Sequence, residues 1–267
     1  MRLVTVGVSG SMPGPASPAS CYLVQAEDGE RRWNVVLDLG SGSLGALQRH
    51  VDPAELDAVA LSHLHPDHCA DLSGLYVYLR YHPGHGSQTT GAPRRLPVVG
   101  PVDTRERAAA MYGLEPAEHM DAEYRFCTWT PTEPVTVGPM TLEAFAVNHP
   151  IEAYGIRVTG PSTQRPGERA TLVYSGDTDT CASLVEASRG ADLLLCEAAF
   201  QEGRDDGIEG IHLTGRRAGR VAADAAAARL LLTHLQPWTD PEVVLGEARA
   251  EYAGPAEVAT AGGTYLL

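Results

Sequence analysis

Apolar residues along this chain fall in short bursts, separated by glycine, proline or small polar clusters. Runs rich in valine and leucine predict strands over residues 3–8, 22–26, 33–39, 58–61, 97–100, 141–147, 154–159, 171–175, 193–196 and 230–233. Helical spacing predicts helices over 44–50, 71–81 and 104–112, and an Ala-rich helix from the N-cap Thr214 to about Ala228. Asp240-Pro241 supplies a cap and a first-turn proline for a last helix. The first third is mostly strands and turns, with Asp28-Gly29 as a hairpin turn. The second half repeats strand, polar residue, helix. No repeat or interdomain linker interrupts this order, so residues 1–267 are expected to form one α/β domain of two associated halves.

Composition narrows the partners. Twenty Lys+Arg against 34 Asp+Glu give a net charge of −14, which argues against a long nucleic-acid footprint, because such footprints need a basic face. No apolar run approaches the roughly 18 residues of a membrane span. The first residues read as a strand, without the features of a signal peptide. Five scattered cysteines without a CxxC pair fit a reducing cytoplasm better than a disulfide framework.

The chemistry concentrates in Ser62-His63-Leu64-His65-Pro66-Asp67-His68. Imidazoles and carboxylates packed this densely are costly unless they find partners. In an extended stretch His63 and His65 project to the same side, while Asp67 and His68 follow at a turn and can face a second point. Two adjacent metal ions would satisfy both groups. Further candidates end apolar strands: His149 in Val147-Asn148-His149-Pro150, Asp177 in Ser175-Gly176-Asp177, Glu197 after Leu195-Cys196, and His234 after Leu230-Leu231-Leu232-Thr233. Strand ends are where α/β proteins assemble sites. Cys69 is read as a neutral thiol rather than a ligand. His50, His82, His85 and His119 suggest no ligand role.

With its H-x-H-x-D-H run followed by His149, Asp177 and His234, the chain resembles the metallo-β-lactamase superfamily, in its tRNase Z-like branch. The resemblance implies a four-layer αββα sandwich with a binuclear site at one edge of its sheets. It implies that His63, His65 and His149 hold one divalent ion, that Asp67, His68 and His234 hold the other, and that Asp177 bridges them. Zinc suits these donors, and manganese is the alternative.

An aspartate bridge favours phosphate esters over lactams. Gly210-Ile211-His212-Leu213-Thr214 resembles the His-Ser-Thr motif of tRNA 3′-processing endonucleases, with Leu213 in place of serine. His212 is therefore expected to protonate a leaving oxygen or stabilise phosphoryl charge, with Glu197 orienting it and Asp67 orienting the attacking hydroxide. The Ser9-Gly10-Ser11 loop and the helical residues Tyr76 and Arg80 are candidate substrate contacts, the alternatives being a plain connecting turn and a stripe that packs a lid or a dimer contact.

Only residues 150–176 separate His149 from Asp177, leaving no room for a tRNA-binding arm. Segments including Ser17-Pro18-Ala19-Ser20 and Arg80-Tyr81-His82-Pro83 resemble actinobacterial cyclic-nucleotide phosphodiesterases. The implied reaction is hydrolysis of 3′,5′-cyclic AMP to 5′-AMP by a hydroxide held between two metal ions. The alternatives are a tRNA 3′-processing endonuclease and a metal-stabilised nucleotide-binding protein without turnover. The branch also implies a homodimer.

Overall fold

A computed structural model describes residues 1–29, 31–91, 94–115 and 117–267. Strands β1 (Arg2–Gly7), β2 (Cys21–Asp28) and β3 (Arg31–Leu37) form an antiparallel meander, turning near Gly29 at φ 62°. Helix α1 (Ser43–Leu47) leads to β4 (Ala58–Ala60), the one-turn α2 (Pro66–Cys69), α3 (Leu72–Tyr81) and α4 (Ser87–Thr90). Strand β5 (Leu96–Gly100), helix α5 (Thr104–Tyr112) and β6 (Tyr124–Thr128) complete the first half, with β3 to β6 running parallel.

The second half follows the same plan. Strands β7 (Val135–Val137), β8 (Met140–Ala146), β9 (Tyr154–Pro161) and β10 (Arg169–Tyr174) are antiparallel neighbours. After α6 (Ala182–Ala187) come β11 (Leu193–Glu197), α7 (Gly215–Asp224), β12 (Leu230–Thr233), α8 (Pro241–Glu251) and β13 (Ala256–Val258), with β10 to β13 parallel. The last strand, β14 (Gly263–Leu266), returns to pair with β1. The sheets are ordered β14-β1-β2-β3-β4-β5-β6 and β13-β12-β11-β10-β9-β8-β7.

The sheets face each other across an apolar core containing Tyr22, Leu37, Leu142, Ile156, Leu172 and Tyr174. On the outer side of the first sheet, Leu47, Leu72, Leu75 and Leu79 bring helices against Val36, Val59 and Val98. On the other, Leu184, Val221, Val244 and Ala248 do the same for β11 and β12. The layering is helix, sheet, sheet, helix.

One departure from expectation has a local cause. Helix α7 stops at Asp224 instead of about Ala228 because Ala226 takes a left-handed φ of 49° and the Ala227 N–H reaches back to the Ala222 carbonyl. Helices α7 and α8 pack closely because Gly215 and Gly219 have no side chain. A Cβ there would lie 2.1 Å from the Val244 carbonyl oxygen and 2.4 Å from that of Ala248. Among the described residues no helix is long and apolar enough to cross a membrane.

Candidate metal centre

The parallel strands of both sheets end at one edge, where their last residues turn into loops. Beyond β4 the chain reaches Ser62 and His63, and His65 lies extended at φ −69° and ψ 147° before Pro66 starts the α2 turn. That proline presets the backbone that swings Asp67 and His68 away from His65. Strand β8 leads to His149, β10 to Asp177 through Gly176 at φ 59°, and β12 to His234. A Cβ on Gly176 would lie 2.5 Å from the Tyr154 carbonyl oxygen, so only glycine lets β10 turn there.

Two groups of inward-facing donor atoms result. In the first, His65 Nδ1 lies 3.1 Å from His63 Nε2 and 3.2 Å from His149 Nε2. In the second, Asp177 Oδ2 lies 3.2 Å from both His68 Nε2 and His234 Nε2, and Asp67 Oδ2 lies 3.4 Å from His68 Nε2. Asp177 Oδ2 is also 3.6 Å from His63 Nε2, so this carboxylate stands between the groups. The set is three imidazoles on one side and two imidazoles with a carboxylate on the other, joined by an aspartate. Asp177 Oδ1 and His68 Nε2 are buried without a hydrogen-bond partner among the described residues. Buried polar atoms rarely go unsatisfied, and a cation pair would satisfy both.

The outward nitrogens are pinned. His63 Nδ1 donates to Ser62 Oγ at 3.0 Å, His68 Nδ1 to Asp38 Oδ2 at 2.7 Å, and His149 Nδ1 to the Ile211 carbonyl at 3.0 Å. His234 Nδ1 shares a 2.8 Å hydrogen bond with Ser20 Oγ. Outward bonds of this kind fix the ring and aim the other nitrogen inward.

Asp38 organises much of this shell. It is fully buried at φ 57° and also accepts from the Ser62 N–H, the Ser62 hydroxyl and the Tyr174 hydroxyl. Asp38 did not stand out in the sequence, and Ser20 did so only within a segment carrying the resemblance, not as a partner of His234. The available signal was a lone acid and a lone serine next to strand ends. Among the described residues four non-glycine positions have positive φ, and Ser11, Asp38 and His234 are three of them. Strain of this kind collects at functional sites.

Burial sets the charges. Burial alone would raise the Asp177 carboxyl, but His234, His68 and His63 hold it well below the usual range. Burial opposes charge on His68, yet Asp177, Asp38 and Asp67 push its pKa well above that of free imidazole. His63 is driven down, first by burial and then by His68. Cys69 faces away from the cage, donating from Sγ to the His65 carbonyl, and burial pushes its thiol up to about 12.

His212 and Glu197 adjoin the cage. His212 Nδ1 donates to Glu197 Oε1 at 2.9 Å and lies 3.9 Å from Asp177 Oδ2. The ring is 5.7 Å from that of His149 and 5.5 Å from that of His234, and its Nε2 has no hydrogen-bond partner among the described residues. Glu197 is fully buried and also accepts from the Thr178 and Ala199 N–H groups, so it is held rigidly. Burial would lower His212, but Glu197 and then Asp177 raise it to about 9.

The expected substrate contacts fare differently. The Ser9 hydroxyl turns inward onto the Met12 carbonyl, and Ser11 reaches His234 Nε2 at 3.3 Å through its backbone N–H. Tyr76 and Arg80 are engaged in contacts within the protein. Tyr76 is buried with its ring 4.8 Å from that of Tyr112, and the Arg80 guanidinium pairs with the buried Glu123 at 3.1 Å. One face of α3 is spent on packing against the first sheet and α5.

A beta-lactamase superfamily domain model matches residues 34–235, which covers the whole cage. The chain belongs to the metallo-β-lactamase superfamily. Among its relatives in that superfamily, an uncharacterised protein of Mycobacterium leprae is 45% identical over 99% of this chain and 88% of its own length. The probable metallo-hydrolase YhfI of Bacillus subtilis is 30% identical over 98% of both chains. Its crystal structure, a metallo-β-lactamase fold, aligns with 99% of this chain and 98% of its own at a TM-score of 0.82. A ribonuclease Z of Myxococcus xanthus is 29% identical over 100% of this chain and 98% of its own. This chain is thus a superfamily metallo-hydrolase whose His/Asp cluster suits metal ions.

Proposed function

We propose that the protein is a metal-dependent phosphodiesterase acting on a small phosphodiester, 3′,5′-cyclic AMP, and yielding 5′-AMP. The observation that carries this reading is the His212–Glu197 pair set beside an aspartate-joined cage of nitrogen and oxygen donors. His63, His65 and His149 would hold one divalent ion. Asp67, His68 and His234 would hold the second, with Asp177 shared. Zinc is the ion proposed, with manganese as the alternative. Such a pair lowers the pKa of water and neutralises phosphoryl charge.

The chain's own groups do the rest. Glu197 fixes the His212 tautomer by accepting from Nδ1 and raises the ring's pKa to about 9, so the imidazole carries a proton at neutral pH. The proton at Nε2 is available to the 3′ oxygen as its bond to phosphorus breaks. Asp67 completes the second ligand set, and its free lone pairs orient the attacking water.

The span between His149 and Asp177 holds only the β9–β10 hairpin, and the net charge is −14. Both features support a small substrate. The ribonuclease Z relative supports a second reading, 3′ processing of precursor tRNA. The test is turnover of cyclic AMP, cyclic GMP, a generic phosphodiester and precursor tRNA with zinc and with manganese. Cyclic AMP hydrolysis that is lost in Asp177→Ala is the expected result. Cleavage of precursor tRNA far faster than cyclic AMP would replace this reading with the second, and tight nucleotide binding without any product would replace both.

A further inference from the structure

A cavity of about 370 Å³ opens onto His65, within the roughly 300–1,000 Å³ range of small-molecule sites. Leu64 and His65 form its inner end. Pro101 and α5 form one flank, and the turn after His149, with Ile151 and Glu152, forms the other. The cavity therefore lies between the two segments that carry first-group histidines, directly beside the cage.

Its walls are apolar at Leu64, Pro101 and Ile151, and Ile151 is 39% exposed. Three charged side chains also line it: Glu152, and Asp103 and Arg107 at the start of α5. The latter two are four residues apart, a spacing at which opposite charges on a helix usually pair. Neither makes a side-chain hydrogen bond or ion pair among the described residues, and Asp103 does not cap α5 with its side chain. Glu152, by contrast, is already engaged by the Tyr154 hydroxyl and the Val102 N–H. Asp103 and Arg107 are both exposed, so an acceptor and a donor stand at the open side of a partly apolar slot beside a phosphodiester site, where a ligand can replace their water. A larger cavity, of about 450 Å³, lies near Pro15 and Pro237, but it includes none of the seven cage residues and no cation.

We infer that this cavity is the nucleobase pocket and takes a purine with an exocyclic amine. Asp103 accepts from the amine, Arg107 donates to a ring nitrogen, and Ile151, Leu64 and Pro101 cover the ring faces. This inference rests on the phosphodiesterase reading and adds to it the residues that select the base.

The test uses the metal-loaded enzyme and the variants Arg107→Ala, Asp103→Ala and Arg105→Ala. Arg105 shares the helix, but its guanidinium is engaged by Asp121. Arg107→Ala and Asp103→Ala should each raise KM for cyclic AMP roughly tenfold or more, the effect of losing a hydrogen bond to a charged group, while kcat changes little. Arg105→Ala should leave KM unchanged. Inosine 3′,5′-cyclic monophosphate lacks the amine, so the wild type should prefer cyclic AMP, and Asp103→Ala should abolish that preference. A cyclic AMP KM within about twofold of wild type in both variants overturns the assignment, since a charge-assisted contact is worth more than that.

Binding of 5′-AMP, measured by calorimetry, decides the pocket independently of turnover. Weaker binding to Arg107→Ala than to wild type supports it. Equal binding, or no binding to the wild type, overturns it. Intact 5′-AMP binding without cyclic AMP hydrolysis would count against the parent reading alone.

Discussion

Asp38 shows how much one side chain carries here. It accepts hydrogen bonds from Ser62, Tyr174 and His68 at once, all in a fully buried setting. Asp38→Ala would leave those donors unpaired, at roughly 1–3 kcal/mol for each buried group. It should also weaken metal binding by about 10–100-fold, the usual effect of losing an outer partner of a ligand histidine. Thermal melts and metal titrations would read the two losses separately.

His212 makes a different prediction. Its pKa in the folded protein, about 9, lies above that of free imidazole. The His212–Glu197 contact therefore stabilises the fold fully below about pH 6.5, and that contribution fades as pH rises through about 9. The rate should also fall on an alkaline limb, set lower than in the metal-free protein because cations at Asp177 oppose the proton on His212. His212→Ala should remove the limb and lower kcat by about 10²–10⁴-fold, the range for a general acid, as a pH–rate profile would show. His68 must lose its proton before it can hold a cation, so metal uptake by the stripped protein should release protons. Calorimetry in buffers of different ionisation enthalpy would detect them. The ligand run was legible in the sequence because its residues are adjacent and chemically conspicuous. Asp38 and Ser20 were not, since their role depends on partners 30 and 214 residues away. Helical spacing put Tyr76 and Arg80 on one face but could not show that this face meets Tyr112 and Glu123.

At the level of elements, close approaches between loops and helices set the ligand positions. A Cβ on Gly40 would lie 1.9 Å from the Asp67 carbonyl oxygen, so the β3–α1 loop presses directly on α2. Gly40→Ala should displace Asp67 and His68 and cost the second metal. Gly45→Ala, inside α1 and meeting nothing within 4 Å, should stabilise by about 0.5–1 kcal/mol. Denaturant melts with metal analysis would separate these outcomes. The long apolar strands were readable from their valine and leucine runs. Strands β6, β7, β13 and β14 were not, because each is largely exposed or half-buried and carries no continuous buried apolar run. Their strand character comes from the neighbours they pair with, and no window of sequence shows those neighbours.

For the whole molecule, metal occupancy is coupled to stability, since ions that bind only the folded state stabilise it by mass action. A hundredfold excess over Kd is worth about 2.7 kcal/mol, so a chelator should lower Tm by about 5–10 °C. Differential scanning calorimetry with and without chelator checks this. The cage also draws on both sheets: His63, His65, Asp67 and His68 follow β4, while His149, Asp177 and His234 follow β8, β10 and β12. Neither sheet owns a complete set of ligands. Ion retention is therefore a ruler for how the two halves dock. Hollowing the shared interior with Ile156→Ala should loosen the ions while each half keeps its own hydrogen-bonded ladder, so the chemistry would fail before the architecture does.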